Sequence, residues 1–217
     1  MIEFSNLCAR LAPIAGVGVF CAPFPTIRGI AKEKSVGNLP LAPYTSIISS
    51  AFVWVLYGVM RKEPKVWSCN GVGLVLGIYY FTEFLRFCPK KSPSLPGSIN
   101  QHLQAILAMV VLSLVLASYF GAASVGNLGI ILCVLMFASP LSALQTVIQT
   151  KSARSIPLPF TCASVLNCLL WTVSGWWVMK DYAIWLPNIL GLTCGLAQVF
   201  LKLFYGDGTP TAASLPI

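Results

Sequence analysis

Ionised side chains are scarce in this chain. Of its 217 residues only 9% are charged, six are acidic and one is a histidine. Soluble domains carry about 25% charged residues, so a surface this poor in charge cannot face water all round; most of it must face lipid. The 57% hydrophobic content and mean hydropathy of +0.80 agree with that reading. The scarcity also removes chemistry. Glu3, Glu33, Glu63, Glu83, Asp181 and Asp207 are the only carboxylates and His102 the only imidazole, and no His/Asp/Glu/Cys constellation falls inside the apolar runs. An enzyme is not expected, nor is a metal or any other cofactor. Cysteines number eight but form no CxxC pair, which reads as small apolar helix residues and not as a disulfide framework or a metal site. Sequons of the Asn-x-Ser/Thr type are lacking. No basic segment precedes the first apolar run, so that run is expected to be a retained span and not a cleaved leader. The net charge of +8 sits in short clusters between apolar runs, as loop charges do, and gives no nucleic-acid surface.

What is present is seven apolar runs, roughly 7–27, 40–60, 67–86, 103–120, 126–148, 157–178 and 184–204. Each is long enough to cross a hydrocarbon core of about 30 Å as a helix, and in lipid the helix satisfies its own backbone hydrogen bonds. The expected fold class is an all-α membrane protein of seven transmembrane helices. Seven crossings put the termini on opposite sides. One side carries Arg28, Lys32, Lys34, Arg86, Lys90, Lys91, Lys151, Arg154 and Lys202; the other carries Arg10, Arg61, Lys62, Lys65 and Lys180. The positive-inside rule places the first group in the cytosol, the N-terminus outside and the C-terminus inside.

The chain also repeats itself. Pro23 recurs as Pro140, Lys34-Ser35 as Lys151-Ser152, Pro40 as Pro157, Trp54 as Trp171 and Gly58 as Gly175, all at an offset of 117. Trp67 then recurs as Trp185, Asn70 as Asn188, Gly73 as Gly191 and Gly77 as Gly195, all at 118. One residue is inserted between Gly175 and Trp185. The expected organisation is a three-helix repeat over 1–88, a loop and linker helix over 89–122, a second three-helix repeat over 123–205 and a short cytosolic tail over 206–217. A single linker crossing restores the starting side, so the two triplets run parallel in the membrane. Transporters built from repeats bind substrate near the midplane where the repeats meet.

Asn70 and Asn188 sit inside apolar spans, where an unpaired amide is costly. They suit the hydroxyls of a polar solute, since an amide offers two donors and an acceptor; bonding between helices is the plainer alternative. Trp54 and Trp171 hold matched positions inside their spans and offer flat apolar faces, whereas Trp67, Trp176, Trp177 and Trp185 read as interface anchors. Gly73, Gly77, Gly191 and Gly195 read as close-packing positions. His102 reads as a loop or interface residue.

The ordered set Ala138-Ser-Pro140-Leu141, Val147-Ile148-x-Thr150-Lys151-Ser152, Ile156-Pro157, Trp171-x-x-x-Gly175, Pro187-Asn188-x-x-Gly191 and Gln198 resembles the SWEET sugar transporters, the eukaryotic arm of the PQ-loop superfamily. Pro23, Lys34-Ser35, Pro43-Tyr44, Trp54-x-x-Tyr57-Gly58 and Asn70-x-x-Gly73 carry the resemblance through the first repeat. Parallel repeats are themselves what the resemblance to that family implies. Ala22 and Ser174 depart from the family pattern, which more often has Ser and Tyr there. The resemblance implies a bidirectional facilitative carrier working by alternating access, with a sugar held by Asn70 and Asn188 and stacked on Trp54 and Trp171. It implies pocket walls from Val19, Ser50, Met136 and Asn167, whose bulk favours a hexose such as glucose. Pro23, Pro43, Pro140 and Pro157 would be hinges, although strict repeat symmetry pairs Pro157 with Pro40 instead of Pro43. Tyr57 would act as an outer gate; Asp181 would be a gate or simply a loop charge. Glu83 lies late in its span beside Arg86, so no central carboxylate carries a proton, and a uniporter is expected. The other readings are a PQ-loop carrier of an amino acid or similar solute, disfavoured by the lack of a Pro-Gln pair, and a non-transporting seven-helix sensor or receptor. The expected partners are a small sugar and the bilayer, with small-residue helix surfaces that leave room for a homo-oligomer. The plasma membrane is the expected location ahead of vacuolar or other internal membranes.

Overall fold

The computed structural model describes residues 2–89 and 98–208, apart from the side chain of Ser139. Lys90, Lys91 and the tail beyond residue 208 lie outside the described residues. Every regular element among them is helical: α1 Ile2–Cys21, α2 Phe24–Glu33, α3 Ala42–Met60, α4 Pro64–Phe87, α5 Ile99–Phe120, α6 Ala122–Met136, α7 Ala138–Thr150, α8 Leu158–Val173 with a π-helical turn Ser174–Met179, and α9 Tyr182–Tyr205. Six of the resulting rods are long and apolar enough to cross a membrane: 2–33, 42–60, 99–120, 122–150, 158–179 and 182–205. The seventh, α4, has 24 residues, enough for about 36 Å of helix. It is the more polar one, because it carries Asn70, Tyr79, Tyr80, Thr82 and Glu83.

The first span begins earlier than hydropathy suggests, so Glu3 and Arg10 lie on helix α1 and not in a flanking loop; both are exposed. The first and fifth spans are each broken. Pro23 has no N–H to give the Val19 carbonyl, which instead accepts from Ala22 at 3.1 Å, and the helix restarts as α2. In the fifth span the break is the single residue Phe137, whose N–H reaches both Cys133 and Val134 carbonyls at 3.2 and 3.1 Å. Pro140 lies in the first turn of α7. The other two of the four expected hinge prolines begin helices without bending them: Pro43 is in the first turn of α3 and Pro157 is the N-cap of α8, positions where the missing N–H costs nothing.

The repeat extends to the backbone. Among the described residues the non-glycine positions with positive φ are Lys34, Lys62, Lys151 and Lys180, two pairs at the sequence offsets of 117 and 118. The inserted residue is the π-helical turn. In the first repeat the Gly58 carbonyl accepts from Glu63, five residues on, at 2.8 Å; in the second the Gly175 carbonyl accepts from Asp181, six residues on, at 2.9 Å. The extra residue is absorbed as a wider turn, so helices on either side keep their register. Deleting Trp177, half-exposed within that turn, is therefore expected to leave a folded protein with a near-normal melting temperature. Deleting Leu169 within α8 rotates Trp171 and all that follows by about 100° and is expected to abolish folding. Equal behaviour of the two deletions in detergent-solubilised melting would show the π turn to be no buffer.

The chain forms two compact units, Gly16–Gly129 and Met1–Ala15 with Ile130–Ile217. Both boundaries cut through a first helix of a repeat, α1 and α6. In the first unit Ile27, Ile30, Val36, Leu41, Tyr44, Ile48, Tyr80, Phe81 and Phe84 form a buried cluster at the junction of α2, α3 and α4. The linker helix α5 begins with a full capping box, Ser98 and Gln101 each satisfying the other's backbone N–H. It joins α3 through Thr45 Oγ1 and His102 Nδ1, 2.8 Å apart and buried. His102 is thus a joint between helices. In the second unit the equivalent cluster is smaller, Val147, Ala153 and Ile156 with Leu201 and Tyr205. Polar bonds supplement it: Lys202 Nζ donates to the Ala153 carbonyl at 3.0 Å and pairs with Asp207, and Lys151 Nζ donates to Tyr205 Oη at 3.2 Å.

Candidate functional site

Each unit carries one copy of the same set of side chains. In the first, Asn70 lies on α4, and its Nδ2 donates to the Val66 carbonyl at 2.9 Å. In the second, Asn188 lies on α9, and its Nδ2 donates to the Ile184 carbonyl at 2.7 Å. Val66 and Ile184 are themselves repeat equivalents, at offset 118. Tying one N–H back to the preceding turn fixes the amide plane. The amide oxygen and the second N–H of each have no partner among the described residues, and both side chains are only half-buried. The bond is within one helix, so neither Asn joins two helices.

Trp54 on α3 and Trp171 on α8 are both buried. Trp54 meets Tyr57 edge-on, with centroids 5.6 Å apart. Ser50 and Asn167, one turn earlier on the same helices, occupy equivalent positions and are half-buried. The Asn167 amide oxygen is enclosed and has no hydrogen-bond partner, which is an unmet acceptor in an apolar span. Val19 is half-buried on α1; its equivalent Met136 is exposed on α6.

The packing glycines have specific partners. A Cβ on Gly73 would lie 2.5 Å from the Phe20 ring, and one on Gly191 would lie 3.2 Å from the Phe137 ring and 2.9 Å from Cys168 Sγ. Phe20 and Phe137 are again equivalents at 117, and they sit where the first helix of each repeat breaks. So each aromatic at a break is seated on a glycine one turn beyond the site asparagine. The recurrence of Phe20 as Phe137 was the available signal, but one Phe pair in a sequence with twelve does not stand out without the glycine contact. A second tie to each break differs in chemistry: Tyr80 Oη donates to the Phe20 carbonyl at 3.0 Å, and Gln198 Nε2 donates to the Pro140 carbonyl at 3.4 Å.

Tyr57 is buried and Asp181 is buried as well. Asp181 caps α9 by accepting from the Ala183 N–H at 3.0 Å, so it is more than a loop charge. Glu83 pairs with Arg86 at 3.5 Å near the end of α4. All six carboxylates sit at or beyond helix ends, or within the last turns, and none is central. The described residues hold no group of three or more His, Cys, Asp or Glu side chains able to bind a metal.

Comparison with known proteins places the chain among sugar carriers. A family model described as "Sugar efflux transporter for intercellular exchange" matches residues 7–92 and again 123–208. The chain is 32% identical over 211 residues to "Bidirectional sugar transporter SWEET7b" of Oryza sativa subsp. indica, covering 94% of this chain and 79% of that one. It is 33% identical over 215 residues to "Bidirectional sugar transporter SWEET7" of Arabidopsis thaliana, covering 94% and 83%. A solved structure of a eukaryotic SWEET transporter superposes with a TM-score of 0.78 at 23% identity, over 93% of this chain and 98% of that one. The family match is itself double, and its two halves coincide with the two copies of the side-chain set.

Proposed function

The chain belongs to the SWEET family of bidirectional sugar transporters, and from that premise we propose that it is a uniporter for a hexose, glucose or one of similar size. The relatives' names supply the sugar class. The observation that carries the reading is the matched pair Asn70 and Asn188. Each holds a half-buried amide fixed by one backbone bond, with an acceptor and a donor left over for hydroxyls. Trp54 and Trp171 supply the apolar faces on which the C–H side of a pyranose rests. Ser50 and Asn167, one turn before the tryptophans, and Val19 and Met136, just before the breaks in α1 and α6, are the proposed walls. The unmet Asn167 oxygen would accept from a sugar hydroxyl.

Alternating access needs the two repeats to change their tilt around a fixed site. We assign the repeats to 1–88 and 123–205, the linker to 89–122 and the tail to 206–217. Pro23 and Pro140 are the proposed main hinges, because only they adjoin a helix break. Pro43 and Pro157 would pivot whole helices from their first turns. Tyr57 and Asp181 are the proposed outer gate. The proposed setting is the plasma membrane, with the N-terminus outside, in keeping with the loop charges; the pore would lie within one chain, whether or not chains pair into a homo-oligomer.

Active cotransport calls for an ionisable group deep in the span. The carboxylates here lie toward the ends, which supports passive flux. The test is counterflow in proteoliposomes with labelled glucose, fructose and sucrose. Saturable exchange of a hexose is expected, unchanged when a protonophore dissipates the proton gradient. Proton-dependent uptake at a fixed sugar gradient would overturn the uniport reading. Flux of amino acids with no sugar flux would favour a different PQ-loop carrier, and sugar binding without any flux a sensor.

A further inference from the structure

Trp54 has a neighbour that no motif or repeat singles out. Gly129 on α6 belongs to the same compact unit. A Cβ built there would lie 2.8 Å from Trp54 Cζ2, 3.0 Å from Cε2 and 3.1 Å from Cη2. Near-equal distances to one ring atom and both its neighbours put that carbon above the indole plane. An approach in the plane would leave the two neighbours clearly farther than the central atom. Gly129 therefore covers one face of the six-membered ring of Trp54 at a separation no side chain permits. That face is closed to a ligand.

Helix packing alone does not require this glycine. The repeat equivalent of Gly129 at offset 117 is Ala12, which is wholly buried. The same architecture thus accepts a methyl at that position in the other copy, the one that holds Trp171. Gly126, one turn earlier on the same face of α6, likewise has Ala9 as its equivalent. The indole at Trp54 is also held from its own helix by the edge-on Tyr57 ring, so it cannot retreat freely from an added carbon.

We propose that Gly129 is the positioning residue behind the Trp54 indole, setting how far that ring projects toward the sugar and so the width of the site on the Trp54 side. This rests on the reading of Trp54 as a stacking surface. A methyl at 129 pushes the ring forward by the shortfall between 2.8 Å and ordinary contact near 3.4 Å or more. The sugar then meets a narrowed site, and affinity falls before maximal rate does.

The test is a double-mutant cycle in counterflow, with Gly129→Ala, Trp54→Phe and the pair. Phenylalanine lacks the outer ring atoms that meet Gly129. Gly129→Ala alone is expected to raise KM about five- to tenfold with a smaller change in maximal rate, a coupling of the size seen between residues in contact. Added to Trp54→Phe, it is expected to change KM less than twofold. An unchanged KM in the single variant, or the same loss in both backgrounds, overturns the proposal. If Gly129→Ala does not fold alone, recovery of folding in the pair supports the seat and continued failure overturns it. If wild-type protein moves no sugar, the functional reading of the preceding section fails first. The seat is then decided by melting temperature, which Gly129→Ala must lower in the wild-type background and leave unchanged in the Trp54→Phe background.

Discussion

Replacing Asn188 by alanine is expected to cut saturable sugar exchange about 5- to 150-fold while leaving the melting temperature nearly unchanged. Two neutral hydrogen bonds to hydroxyls contribute roughly 1–3 kcal/mol together, and that range converts to the stated loss. The separation of flux from stability is the informative part. Asn188 donates only to Ile184 of its own helix, a bond whose loss frees a carbonyl but unties no neighbouring helix. Were the residue a structural tie between helices, stability would fall with activity. Asn70, bonded the same way to Val66, is expected to behave alike. The combination of both variants would abolish saturable exchange. A melting temperature lowered by many degrees in either single variant, with sugar affinity retained in the surviving protein, would make these residues structural.

The second large effect concerns stability. Gly58→Ala and Gly175→Ala are each expected to lower the melting temperature by several degrees, although alanine favours helix over glycine by about 0.5–1 kcal/mol. A Cβ at Gly58 would lie 2.7 Å from the Trp67 backbone nitrogen, and one at Gly175 would lie 2.8 Å from that of Trp185. These neighbours are backbone, so no rotamer change relieves the contact; α3 must part from α4, or α8 from α9. Overpacking of this kind costs roughly 1–3 kcal/mol, which outweighs the helix gain. Gly29→Ala in α2, where nothing lies within 4 Å, provides the contrast and is expected to be neutral or stabilising. Thermal melting in detergent reads all three. If Gly58→Ala melts at or above wild type, the close approach of α3 and α4 is not what that glycine serves.

The number and class of the spans were legible without coordinates, because crossing a bilayer needs only a long apolar run and composition along the chain records it. The duplication was legible too, since Pro, Trp, Asn and Gly held two offsets with one shift. Membership of a sugar-carrier family followed from the same ordered residues and agrees with the family match over both halves. The one span that hydropathy alone underrates, α4, is polar because it carries Asn70, Thr82, Glu83, the exposed Tyr79 and the buried Tyr80.

Other features needed the tertiary structure. A proline marks where a helix is weakened, but Pro23 adjoins a break while Pro43 starts a helix; position within the rod decides, and rod ends are not written in composition. The inserted residue was visible as a change of offset, yet its absorption as a π turn depends on which carbonyl Asp181 reaches. His102 looked like an interface residue and is buried against Thr45, because α5 docks on α3 through non-local packing. Gly129 carried no signal at all. Its role depends on a ring 75 residues away in sequence lying within a few ångströms. Hydropathy and periodicity describe what each segment prefers by itself, whereas a glycine's partner is set by how close two helices come, and only their packing together fixes that.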